Sequence, residues 1–333
     1  LAYTGHSMAE EIELKLSIPA SFHNTLKQHE ILQKGTVGEV QVRDLHNRYF
    51  DTPDQQLNRH KIALRIRRQG SRYIQTLKTR GDSHGGLHQR NEWEWDLDKP
   101  ELDITRLPAE QLPEGLSSEQ LQPAFSTDFQ RTIWTLSMAD SESTKIELVL
   151  DDGWAISGDS EGAQVRDQIS EIELELLKGD PEQLFRLALQ LSDTIPLRIT
   201  RVSKAERGYR LQDPDRARKK VTLDEKSSAL QPHRLLCHLL ESLQATIESY
   251  EYLKETGLLL DLLTTLEQLQ ALGQEPALKL SSEQQNNLLR ESAELRRLLA
   301  PWLLRQHYRL DAAEPKQLEE RLAEIEQWLC SRP

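Results

Sequence analysis

The chain has 333 residues, enough for two domains that each bury a core of their own. Its formal net charge is −12, from 42 Lys and Arg against 54 Asp and Glu, which disfavours nucleic acid and anionic membranes as partners unless cations gather in one place. Cys237 and Cys330 are too few for a disulfide framework, and apolar runs such as Leu258–Leu260 are too short for a membrane span, so a cytoplasmic setting is expected.

Residues 1–7 precede Met8, where a strand pattern opens, and are read as a remnant outside the fold rather than as a targeting peptide. From Glu10 to about Arg210 charged and apolar residues alternate with period two, which places them on opposite faces of strands. The pattern predicts strands at 10–18, 40–51, 61–69, 72–80, 89–97, 128–137, 144–151 and 166–177, with turn-rich sequence at 81–86 and 157–160. Eight strands with mostly short connections predict a closed or nearly closed antiparallel barrel, with helices at 19–30, 105–122 and 181–193. After Lys220 the spacing changes to 3.6 residues, with Leu235, Leu236, Leu239, Leu240 and Leu243 on one stripe and further stripes at 257–272, 283–299 and 315–330. The expected class is α+β: an eight-stranded antiparallel β tunnel with flanking helices over 8–210, a polar linker at 211–225 and an α-helical bundle over 226–333.

The charged faces carry the chemistry. Glu11, Glu13 and Lys15 point one way while Ile12, Leu14 and Leu16 point the other. A single strand of this kind is most simply a solvated face. The pattern recurs at Arg65 and Arg67, at Lys78 and Arg80, at Arg90, Glu92, Glu94 and Asp96, at Arg131, at Lys145, Glu147 and Asp151, at Glu171, Glu173 and Glu175, and finally at Lys204. Trp93 and Trp95, opposite the acidic residues of their strand, are bulky enough for a packed exterior under helices. If the apolar faces pack outward, the charged faces line the interior, and so many buried charges require pairing, metal or ligand. Carboxylates are hard oxygen ligands for Mg²⁺ or Mn²⁺, and Lys and Arg match phosphate oxygens. The chain has no glycine-rich phosphate loop, so phosphate binding would come from side chains. His84 and His88 flank Gly85-Gly86 and are read as loop residues rather than ligands; Asp51 is read as structural, before Pro53.

These residues resemble the CYTH superfamily, also called triphosphate tunnel metalloenzymes. The Glu-x-Glu-x-Lys signature matches Glu11-Ile12-Glu13-Leu14-Lys15, and further landmarks follow in order: Tyr49-Phe50-Asp51-Thr52, Leu64-Arg65-Ile66-Arg67, Lys78, Glu92-Trp93-Glu94, Arg131, Leu150-Asp151-Asp152-Gly153, Glu171-Ile172-Glu173 and Ser203-Lys204. The resemblance covers about residues 8–210. It implies a tunnel that binds triphosphates with Mg²⁺ or Mn²⁺, two ions per site. Lys15, Arg65, Arg67, Lys78, Arg131 and Lys204, with Arg90 and Lys145, would hold phosphate oxygens. Glu11, Glu13, Glu171 and Glu173, with Asp151 and Glu94, would hold metal. Glu13, Lys15, Glu173, Arg65 and Arg67 form the expected catalytic set.

The helical half echoes a CHAD domain, a conserved histidine α-helical domain, in truncated or diverged form through His233, Arg234, His238, Arg296, Arg297, Arg305 and His307. That architecture implies an inorganic triphosphatase, with longer polyphosphate as a partner for the helices. Thiamine triphosphate hydrolysis and class IV adenylyl cyclase activity use the same charged wall and remain alternatives. So does a polyphosphate-binding module without catalysis.

Overall fold

The computed structural model describes residues 9–308 except 80–81, 85–86, 139–140, 159–163, 219–230 and 256. The described residues divide into two compact units, parting between Asp213 and Pro214. The first is a β barrel. Its strands are β1 (Ala9–Ser17), β2 (Gln41–Asp51), β3 (Ala63–Gln69), β4 (Arg72–Lys78), β5 (Asp82–His84), β6 (Leu87–Leu97), β7 (Gln122–Met138), β8 (Ser141–Ser157), β9 (Val165–Lys178) and β10 (Arg198–Ile199). The neighbours run β10-β1-β9-β8-β7-β2-β3-β4-β6-β5, and β1 also pairs with β6. That extra pairing closes eight antiparallel strands into a ring, leaving β5 and β10 as short additions. The stretch 81–86, expected as a turn, contains β5, which pairs back onto β6.

The alternation sorts the two faces of the barrel wall. Leu14, Leu16, Leu148, Leu150, Ile172 and Leu174 point outward from β1, β8 and β9. They form one core with Leu26 and Leu32 of two short helices, α1 (His23–Lys27) and α2 (Glu30–Gly35). Leu57 of a third, α3 (Gln56–Arg59), packs with β3, β4 and β6 instead. Leu184, Leu187 and Leu191 of α4 (Glu182–Ser192) complete the first core, and each fully buried leucine contributes about 2 kcal/mol. On the other side Leu64, Ile66, Leu77 and Trp95 are covered by Leu57 and Leu107, with Trp93 packed at their margin. The cover there is not the helix expected at 105–122. Three 3-10 turns, Ile104–Arg106, Ala109–Gln111 and Ser118–Gln120, take its place, because Pro108 and Pro113 lack the amide a continuous helix needs. The 19–30 helix is likewise broken, into a 3-10 turn and α1, with α2 following.

Besides the short α3 and β10, one element that matters for the site has no counterpart among the expected ones. Lys204 does not extend a strand; it opens α5 (Lys204–Gln212), whose cap is Ser203 accepting from the Glu206 amide at 3.1 Å. Two features anchor α5 to the barrel. Tyr209 donates its hydroxyl to the buried Asp51 carboxylate at 2.6 Å, and Asp51 also accepts from the Thr52, Leu57 and Asn58 amides. Asp51 is thus structural. Gly208 lies directly on the Phe125 ring, which stacks on Tyr49 at 4.7 Å between centroids and meets Tyr209 edge-on at 4.9 Å.

The second unit holds α6 (Pro232–Leu253), α7 (Gly257–Gly273) and α8 (Ser282–Tyr308). Their stripes converge in a core that includes Tyr250, Leu259, Leu262, Leu266, Leu295 and Leu299. The stripe at 315–330 lies outside the described residues. Among the described residues no helix is long and apolar enough to cross a membrane.

A methyl group at Gly208 would lie 2.0 Å from a Phe125 ring carbon, so the ring or the helix must shift. Gly208→Ala is expected to cost the barrel about 1–3 kcal/mol, read as a lower urea midpoint with an unchanged slope.

Candidate active site inside the barrel

Cross-strand register decides which interior charges meet. Ser17 faces Glu171, Glu171 faces Asp151 and Asp151 faces Arg131, a row running across β1, β9, β8 and β7. One step along, Lys15 faces Glu173. Directly opposed side chains of a ladder are about 5 Å apart at Cβ, close enough for ion pairs. Arg131 grips Asp151 with two nitrogens, at 2.8 and 2.7 Å, and reaches Glu173 at 2.6 Å. Lys15 lies 2.7 Å from Glu173 and 3.4 Å from Glu171. Lys204 arrives from α5 and contacts Asp151, Glu171 and Glu173 at 2.6, 2.5 and 3.0 Å. Arg207 of the same helix approaches Glu171 at 3.6 Å and Asp167 at 3.2 Å.

These pairs overcome the cost of burial. Burial alone would raise the Glu171 carboxyl, but Lys15, Lys204 and Arg207 outweigh it and hold the group lowered to about 2, against the opposing push of Glu173. Glu173 is likewise held well below the usual range, burial being outweighed by Lys15, Lys204 and Arg131. Lys204 and Arg131 move up in return: burial opposes both, and the carboxylates around them win.

The β2–β3 side of the cavity has the opposite character. Arg67 donates from Nε to the neutral Asn47 side chain at 2.9 Å, and Asn47 in turn donates to Thr127 at 3.0 Å. Among the described residues Arg67 forms no ion pair. Burial, then Arg65 and Arg131, pushes its guanidinium down to about 9. Among the described residues the one ion pair of Arg65 is a long contact to Glu92, at 3.7 Å, while Lys78 holds Glu92 at 2.5 Å. Burial would raise the Tyr49 phenol, but Arg65, to which it is hydrogen-bonded, lowers it, as do Lys204 and Arg67.

Between these walls lies a cavity of about 300 Å³. Its lining includes Glu13, Lys15, Arg65, Arg67, Lys78, Arg131, Glu173 and Lys204 of the expected set, together with Glu94 at its exposed margin. Asp151 and Glu171 stand fully buried beside Glu173. Lys145 is not brought in. Lys145 keeps the parity of Glu147 and Asp151, but it sits where the β8–β9 ladder ends, beside a shift whose extra residue is Leu177 of β9, and its side chain is exposed. The side chains of Glu11, Arg90, His84 and His88 lie outside the described residues, although Glu11 and Arg90 face each other in the β1–β6 ladder. Tyr49, Ser203, Glu175 and Glu92 also line the cavity without having been singled out as site residues. The signal for the helical contribution was present in Ser203-Lys204-Ala205-Glu206, the Ser-x-x-Glu spacing of a capping box.

The acidic set suits a hard divalent cation. Oxygens of Asp151, Glu171 and Glu173 gather within 4.8 Å of one another, and Glu171 Oε2 is buried without a hydrogen-bond donor. The cations opposite suit phosphate oxygens.

The chain is 39% identical over 209 residues to an inorganic triphosphatase of Haemophilus influenzae, an alignment covering 61% of this chain and 55% of the relative. The chain therefore spans about half the length of that curated relative. Among solved structures it is similar to a putative adenylyl cyclase from Hippeastrum with a dominant triphosphatase activity, at 21% identity and a TM-score of 0.42, covering 61% of this chain and 96% of that one. It is also similar to a putative adenylate cyclase from Bacillus halodurans, at 20% identity and a TM-score of 0.34, covering 56% and 91%. The family model of the CYTH domain matches residues 9–209, from the first strand of the barrel into α5, and the chain belongs to that family.

Proposed function

We propose that the barrel is a metal-dependent inorganic triphosphatase that hydrolyses tripolyphosphate to pyrophosphate and phosphate. The observation that carries this reading is the unequal compensation of the two walls. Asp151, Glu171 and Glu173 are fully matched by cations, whereas the half-buried Arg67 stands beside Arg65 and Arg131 and, among the described residues, hydrogen-bonds to the neutral Asn47 and forms no ion pair. A polyanion in the cavity would relieve that crowding. The Haemophilus relative, described as an inorganic triphosphatase, supports the same substrate.

Arg65, Arg67, Lys78 and Arg131 would take the phosphate oxygens, with Lys15 and Lys204 at the boundary between the two walls. As water adds to a terminal phosphorus and the bridging P–O bond breaks, negative charge grows on the departing pyrophosphate, and these fixed cations stabilise it. Asp151, Glu171 and Glu173, with Glu13 on the lining, are the residues that would hold Mg²⁺ or Mn²⁺. When bound, such an ion neutralises phosphate charge and lowers the pKa of bound water. Tyr49 is the aromatic residue of the lining, and its ring is already stacked on Phe125 rather than open as a platform for a base or a thiazole. That supports the inorganic substrate over a nucleotide or thiamine triphosphate.

The same reading extends to domain organisation: a tunnel domain to residue 210, a linker over 211–225 and a CHAD-like helical unit from 226. On the helical side Arg218 pairs with Glu255, Arg296 with Glu267 and Arg290 with Glu291.

Release of phosphate from tripolyphosphate is expected to stop on chelation and to return with Mg²⁺ or Mn²⁺. Metal-independent release at the full rate would rule out the mechanism. Glu13→Ala and Lys15→Ala are expected to abolish turnover in folded protein, and Arg67→Leu to lower kcat/KM by about 100-fold or more. Lys145→Ala should match wild type in the same assay.

A further inference from the structure

Lys204 occupies an unusual position for a residue that would hold phosphate. Its ammonium is 2.6 Å from Asp151 Oδ2, 2.5 Å from Glu171 Oε1 and 3.0 Å from Glu173 Oε1. These are the three carboxylates whose oxygens gather within 4.8 Å of one another. The Phe129 ring lies 5.1 Å from the same nitrogen, an apolar neighbour on a further side. A divalent ion drawing oxygens from all three groups at about 2.0–2.6 Å needs the space the ammonium fills.

The charge balance points the same way. Three carboxylates meet Lys15, Arg131 and Lys204, with Arg207 shared between Glu171 at 3.6 Å and a fourth carboxylate, Asp167, at 3.2 Å, so the trio is already neutralised. A divalent ion added to that set is attracted by the carboxylates and repelled by the cations, and the low dielectric of a buried site strengthens both effects. It gains little until a cation leaves. Lys15 is the weaker candidate to leave, since it is fixed on a strand and reaches two of the three carboxylates. Lys204 is the first residue of α5, and its four-carbon stem can swing while the helix stays anchored through Tyr209 and Asp51.

Resting on the reading of this trio as the metal seat, we propose that Lys204 is a built-in counterion that holds the metal position and competes with the divalent ion, so that metal and triphosphate load together. Phosphate oxygens entering beside Arg65 and Arg67 give the displaced ammonium a new partner. A metal offered without a polyanion must instead expel Lys204 into a cavity already rich in cations.

The test is Mn²⁺ binding in phosphate-free buffer, followed by calorimetry for wild type and for Lys204→Met, which keeps the stem and removes the charge. The variant is expected to bind Mn²⁺ about tenfold tighter or more. Equal or weaker binding by folded Lys204→Met overturns the proposal. Because the substitution could unfold the barrel, a second measurement uses wild type alone: the rate at which acetic anhydride acetylates Lys204, read by mass spectrometry, with and without millimolar Mn²⁺. Displacement from the carboxylates predicts a several-fold faster rate with Mn²⁺, and an unchanged or slower rate overturns the proposal. Neither measurement depends on hydrolysis. A protein that hydrolyses tripolyphosphate with metal but gives the overturning results keeps the proposed function and loses only this inference. If neither protein binds Mn²⁺ and hydrolysis survives chelation, both fall.

Discussion

Compensation of buried charge governs this barrel. A closed ring of strands with its apolar residues turned outward has to seat its ionised groups inside, where water cannot solvate them fully. The register meets that demand on one wall, by setting Arg131 against Asp151 and Lys15 against Glu173. It does so incompletely on the other, where Arg67 faces Asn47. The first wall holds together on its own, and the second is left with a positive excess. The polyanion affinity we propose would rest on that difference rather than on the number of basic residues in a chain whose net charge is −12.

Helix α5 couples the fold to the site. Its first residue reaches the acidic trio, its fourth reaches Glu171 and Asp167, and its sixth is tied to Asp51. The ring of Phe125 fits against Gly208 because that position has no side chain. Close packing at one face of a short helix therefore fixes where the Lys204 stem leaves the backbone at its other end. Asp51, with three backbone amides and one phenol as donors, is an anchor for this geometry without touching the cavity.

Much of this was legible in the residues because a strand's side chains alternate with period two. Glu11-Ile12-Glu13-Leu14-Lys15 states which side chains share a face, and the outer core of Leu14, Leu16, Leu148 and Leu174 shows which face turns outward. Pairing across strands was not legible, because Lys15 meets Glu173 across 158 positions and no local pattern encodes that register. Lys145 kept the right parity but sits beside a register shift, so periodicity pointed it inward while the structure exposes it. Lys204 was read as one more alternating charge, although the capping spacing from Ser203 to Glu206 marked a helix. The segment 105–122 has helical composition, and its prolines decided otherwise.

The ring closes through β1, which pairs with β6 on one side and β9 on the other. A chain made from its N-terminus must therefore keep its first strand without its β9 partner until residues beyond 170 are available, a long loop to close and a marker of slow, non-local folding. Glu13 and Lys15 wait on that strand, and Glu171 and Glu173 arrive on the last strand of the ring. The charges that compensate one another are thus separated through most of synthesis, and the acidic wall is among the last parts of the barrel to exist.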